Sequence, residues 1–202
     1  MMRTSVAETL TEACGRLADP GALFEEYLDF ARDPANTYRG TASGEHFTAS
    51  GFVFNRSRDK VLLCFHKKGQ FWVQFGGHIE PEADSLLEAA TREVKEESGL
   101  ANLRPLLPYP AELNRHELSD AFGKCRAHWD VGFAFEATEG EDVLVSDESE
   151  DVRWWPIRAL PANAAPLLGQ RITAGLAAVD SLMTRDTGIS SGSNVTGRVP
   201  RI

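Results

Sequence analysis

What the chain lacks narrows the field. No apolar run approaches the ~20 residues a membrane span requires, and the opening MMRTSVAETL has no apolar core of the kind a secretory signal carries. The expected compartment is the cytoplasm, with no membrane partner. Cysteine is scarce: Cys14, Cys64 and Cys125 are widely spaced, odd in number and without a C-x-x-C pair or metal-ligand spacing, so they are expected to be reduced and partly buried. Positive charge is also in deficit. With 21 Lys and Arg against 30 Asp and Glu, the net charge of −9 argues against a duplex nucleic-acid partner. A small phosphorylated substrate stays open, because a metal and a few local cations suffice to attract it. Internal repeats are absent.

What is present fits one globular domain with appendages. A chain of 202 residues supports one substantial core, and length does not demand a second. Residues 1–40 are read as a helical extension. Ser5 with Glu8 forms a capping box, Val6, Leu10, Cys14 and Leu17 recur at helical spacing, and Pro20 interrupts. Leu23, Phe24, Tyr27, Leu28 and Ala31 then give a second helix, ended by Asp33-Pro34. Its stripe is expected to pack on the core or on a second subunit, as in a homodimer.

The period shifts toward strands at His46. Phe47 to Phe54 and Val61 to Phe65 flank a turn at residues 55–59 and read as a hairpin. Phe71 to Phe75 is a third strand, the proline-bearing stretch 103–110 is irregular, and Cys125 to Ala137 is a long strand. On it Trp129, Val131, Phe133 and Phe135 share one face, and His128, Asp130, Gly132 and Ala134 the other. Val152 to Ile157 makes a further strand and Ala164 to Met183 a helix. The domain is thus expected over 45–183, with 184–202 a Gly/Ser-rich disordered tail.

The most informative stretch is Gly76 to Leu100, GGHIEPEADSLLEAATREVKEESGL. Ser85 and Glu88 mark a helix start, Gly99 a stop, and a helix over 85–98 follows. At ~100° per residue, Leu86, Leu87, Ala90 and Val94 form the packed face, with Glu88, Arg92 and Lys95 on the far side. Glu93, Glu96 and Glu97 converge at the margin of the packed face. Carboxylates in a last helical turn oppose the dipole by ~0.3–1 kcal/mol each, and half-buried acids repel one another. A bound Mg2+ or Mn2+ offsets both penalties, since hard cations prefer oxygen ligands.

These residues resemble the signature box of the Nudix hydrolases, Gly-x5-Glu-x7-Arg-Glu-U-x-Glu-Glu-x-Gly-U with U a bulky apolar residue. Arg92 to Leu100 matches its second half throughout. In the first half, Gly77 stands one residue too far from Arg92, and Asp84 occupies the glutamate position, with Glu82 as the other nearby acid. The resemblance covers about residues 45 to 160. It implies an α/β/α sandwich around a mixed β-sheet, and hydrolysis of a phosphoanhydride bond in a nucleotide derivative. It also implies metal ligation by Glu93, Glu96, Glu97 and the Gly76 carbonyl. Glu97, then Glu96, is the expected proton acceptor, and Arg92 orients a glutamate.

Outside the box, His128 and Asp130 are candidate substrate contacts, and Glu148, within an acidic loop, is a candidate extra carboxylate. Lys67 and Lys68 read as solubilising turn residues that also suit phosphate. Two other classes share such a fold. A diphosphate isomerase would need an active-site cysteine, for which Cys64 is the candidate. A non-catalytic sensor would have lost a glutamate or the arginine of the box, and neither is lost between Arg92 and Leu100.

Overall fold

The computed structural model describes residues 2–17, 21–119 and 123–187. Its spine is strand β1 (Glu45–Phe54), buried at every position after Glu45. That burial follows from pairing on both edges. Strand β7 (Ala127–Glu136) runs parallel to β1 over ten residue pairs, from Glu45 opposite Ala127 to Phe54 opposite Glu136. On the opposite edge, β4 (Phe75–His78) pairs antiparallel with Thr48 to Gly51, and β2 (Lys60–His66) with Val53 and Phe54. Strands β3 (Phe71–Val73) and β8 (Ser149–Pro156) extend the sheet from β2, while β5 (Arg104–Pro105) and β6 (Glu112–Glu117) line the outer edge of β7.

Helix α3 (Leu86–Ser98) packs Val94 over Gly51 on one face. Helix α2 (Gly21–Phe30) covers the same face, where Phe30 stacks on Trp129 at 4.4 Å between ring centroids and Tyr27 meets Trp129 and Phe47 edge-on. Helix α1 (Val6–Ala13) packs on α2 and carries the complete Ser5–Glu8 capping box. The extension therefore packs on the core of its own chain. Helix α4 (Leu168–Thr187) closes the opposite face, where its Arg171 reaches Asp130 at 2.5 Å. The chain is thus an α/β/α sandwich on a mixed sheet.

Several expectations need correction. Strand β5 falls in the stretch 103–110 expected to be irregular, and β6 lies between that stretch and the long strand, where no element was expected. The strand expected over 71–75 is broken at Gln74, and Gly76 and Gly77 are paired strand residues. Helix α4 starts four residues late, because Trp72 and Ala164 form an isolated bridge and the Ala165 N–H donates to the Trp72 carbonyl at 2.8 Å. It also runs to Thr187, so the first residues assigned to the tail are helical. Cys14 is exposed, and Leu87 is only partly buried while Ala89 is fully so. Pro20 and the remainder of the expected tail, 188–202, lie outside the described residues.

Candidate active site

Helix α3 begins where Ser85 accepts the Glu88 N–H at 3.2 Å. The reciprocal half of the capping box is displaced, because the Glu88 carboxylate accepts the Asp84 N–H at 3.3 Å instead. The helix ends at Gly99, whose φ of 71° closes the last turn by donating to the Lys95 carbonyl. A left-handed stop of this kind favours glycine. Between these ends the acidic residues are laid against β4.

Glu97 is buried, and its Oε1 accepts the Gly76 N–H at 3.0 Å. Its Oε2 lies 3.7 Å from the Cys64 thiol. The Glu93 carboxylate lies over Gly77, where a Cβ would come within 2.6 Å of Oε2; only a residue without a side chain permits that approach. Arg92 is not on a solvated far side. Its Nη2 donates to Glu93 at 2.6 Å and to the His78 carbonyl at 3.0 Å, and its Nη1 to Glu96 at 3.0 Å. One guanidinium thus holds two of the three glutamates and ties them to the end of β4. Glu96 itself is exposed.

Burial pushes Glu97 up from 4.5 to about 8, against the pull of the Gly76 N–H and with help from the Glu93 and Glu148 charges. Burial likewise raises Glu93 to about 7, partly opposed by Arg92 and reinforced by Glu96 and Glu148. The exposed Glu148 is therefore close enough to act on both. A cluster of hard oxygen donors with one opposing guanidinium, on a backbone cleared of side chains at Gly77, fits a divalent cation.

Glu97, Gly76 and Gly77 border a cleft of about 460 Å³. Its floor includes Thr48, Ser50, His128 and Asp130, and its wall Phe71, Val73 and Leu167. Asp130 reaches this floor with its oxygens already engaged: they accept from Thr48 at 2.8 Å, Ser50 at 2.6 Å and Arg171 at 2.5 Å. Arg171 also pairs with Glu112. Burial alone would raise Asp130, but Arg171, His116 and the Ser50 hydroxyl hold it below its usual range. This carboxylate braces the floor.

His128 packs edge-on against His46, His78 and His116, with ring centroids 5.0 to 5.5 Å away. Burial drives His128 down to about 3 and His46 to about 4, so both are neutral at pH 7. Elsewhere, Asp84 is exposed and ion-paired with Arg3, and Glu82 is exposed. The Lys67 ammonium donates to the Asp147 carbonyl at 2.8 Å and so anchors the acidic loop.

The profile of the NUDIX domain matches residues 44–174, more than half of the chain. The protein belongs to the Nudix family. Among solved structures, a Nudix-family hydrolase from Clostridium perfringens is 26% identical at a TM-score of 0.54, covering 68% of this chain and 97% of that one. A C. elegans Ap4A hydrolase shares the fold at 16% identity and TM-score 0.52, covering 67% of this chain and 98% of that one. The E. coli dihydroneopterin triphosphate pyrophosphohydrolase does so at 16% and 0.52, with coverages of 62% and 91%. The chain is a Nudix hydrolase. In this Nudix domain, sequence reasoning missed His116 and Arg171, which border the cleft from β6 and α4, and Glu112, His46 and His78, which stand behind them as partners of Arg171 and His128. The recurrence of histidine at strand positions was the available signal.

Proposed function

We propose that the protein hydrolyses the phosphoanhydride bond of a nucleoside diphosphate linked to another moiety, with Mg2+ or Mn2+ held by Glu93, Glu96, Glu97 and the Gly76 carbonyl. The observation that carries this reading is Glu97: it borders the cleft, is largely desolvated, and its basicity is raised to about 8. A bound cation supplies charge neutralisation at the diphosphate and acidifies a water. Glu97 takes the proton of the attacking water, a role its place at the border of the cleft allows. Arg92 keeps Glu93 and Glu96 in place through its two ion pairs. Glu148 adds negative charge at the same site.

The wall of Phe71, Val73 and Leu167 suits a flat, weakly polar group such as a base, which supports a nucleotide derivative over inorganic pyrophosphate. An isomerase fits less well, because Cys64 is fully buried, does not border the cleft, and has its thiol pushed far up by burial. No helix among the described residues is long and apolar enough to cross a membrane, and a cytoplasmic setting is part of the proposal.

Phosphate release should be measured on nucleoside triphosphates, dinucleoside polyphosphates, ADP-ribose, NADH and nucleotide sugars, with Mg2+ and with Mn2+. At least one should turn over only with metal, and Glu97→Gln should lower kcat by about 100-fold or more with a far smaller effect on Tm. Near wild-type turnover of this variant at saturating Mg2+ would remove Glu97 from the mechanism, and silence across the panel would remove the proposed substrate class.

A further inference from the structure

We propose a second metal site, built from His46, His78, His128 and Cys125, that takes a zinc-class transition ion and is separate from the glutamate cluster. One donor atom from each of the four residues lies within 4.8 Å of the others. Tetrahedral bonds of ~2.0–2.1 Å to nitrogen and ~2.3 Å to sulfur require donors roughly 3.3–3.8 Å apart, so modest side-chain closure completes the shell. The Cys125 Sγ already stands 3.8 Å from His78 Nε2. Three imidazoles and a thiolate favour zinc over magnesium, whose ligands are oxygens.

The second observation is the state of the rings. His46 is 1% exposed, and its ring nitrogens have no hydrogen-bond partner beyond an electrostatic pull from the Gly44 backbone; His128 Nε2 is likewise buried and unpaired. Native interiors seldom leave such atoms unmatched. Ring packing alone accounts for the centroid spacings but not for three orphaned nitrogens beside a thiol. The residues come from different elements: His46 on β1, His128 opposite it on β7, His78 at the end of β4, and Cys125 just before β7. A metal there would fasten the segment entering β7 to the sheet, beside the cleft that His128 borders. Arg39 is a cation whose charge reaches both His46 and His78, and the thiolate formed on metal binding counters it.

The full-length protein, stripped with chelator, should be titrated with Co2+ and followed by absorption. The tetrahedral ligand-field bands and a thiolate-to-cobalt charge-transfer band should saturate at one equivalent, and be displaced by Zn2+ and not by excess Mg2+. Cys125→Ser should lose the charge-transfer band and weaken Zn2+ binding by more than the ~10–100-fold that loss of an outer-shell partner costs. The triple variant Glu93→Gln, Glu96→Gln, Glu97→Gln should keep both the band and the stoichiometry. If Cys125→Ser does not fold, zinc-edge X-ray absorption of the wild-type protein decides between three nitrogens with one sulfur and an oxygen-only shell. Absence of the band in the wild type, its persistence in Cys125→Ser, its loss in the triple variant or an oxygen-only shell each overturns the assignment.

Discussion

Arg171 is the cation on which two buried acids depend. Its Nε donates to Glu112 at 2.9 Å and its Nη2 to Asp130, and all three side chains are at most 8% exposed. Arg171→Met would leave Glu112 and Asp130 buried without their counter-charge, Asp130 keeping only the Thr48 and Ser50 hydroxyls, which costs about 3–5 kcal/mol. A thermal melt at pH 7 should show a fall of about 10 °C, and a change under about 2 °C would refute the bracing role. The glutamates of α3 behave oppositely. Glu97 and Glu93 have folded values of about 8 and about 7 against 4.5 when unperturbed, so ionisation above those values destabilises the metal-free fold. The penalty lifts as pH falls through 8 and 7, because the folded state then binds protons that the unfolded chain does not. His46 and His128, held near 4 and 3 against 6.5, act in the other sense, since below 6.5 the unfolded chain binds the extra protons. His66, His78 and His116 are lowered by burial as well, so in chelator Tm should rise from about pH 9 to about pH 6.5 and fall below it. Saturating Mg2+ should raise Tm most at the alkaline end. Equal Mg2+ effects at both ends of that range would contradict the assignment of these two acids.

At the scale of elements, β4 is the piece that makes the acidic helix a site. Gly77→Ala would set a Cβ against the Glu93 carboxylate, so the Mg2+ concentration for half-maximal activity should increase by about 10-fold while Tm changes little; an unchanged metal requirement would show that Glu93 is not held there for a cation. The helix bearing that glutamate was legible because its signals are local: cap, period and glycine stop all fall within residues 85–99. Strand β7 was legible by its alternation, which placed His128 and Asp130 on the face that borders the cleft. Strand β6 was not, since Glu112 is a charged residue buried only because Arg171 arrives from a helix 59 residues later. The break at Gln74 was hidden for the same reason: β3 pairs with β2 and β4 with β1, a division made by partners and not by the segment's composition. Arg92 was misplaced because a helical projection cannot see the His78 carbonyl and the two glutamates that draw a long side chain back over the helix.

At the scale of the whole molecule, three helices lie on one face of the sheet and α4 on the other, and the cleft opens where Gly76 and Gly77 separate the acidic helix from the α4 side. The fused N-terminal helices belong to this arrangement through specific contacts: the Tyr27 hydroxyl donates to the Asp130 carbonyl at 2.9 Å, and the Arg3 and Thr4 N–H groups donate to the Asp84 carbonyl. The parallel β1–β7 pair also sets the timing of folding. Thr48 bonds to Asp130 across 82 positions of chain, so β1 waits for its main neighbour until residues 127–136 have left the ribosome, and the floor carboxylate waits longer still for Arg171. Non-local closure of this kind slows folding. An emerging chain therefore carries an apolar, half-paired β1 during synthesis, open to chaperones and to other copies of itself.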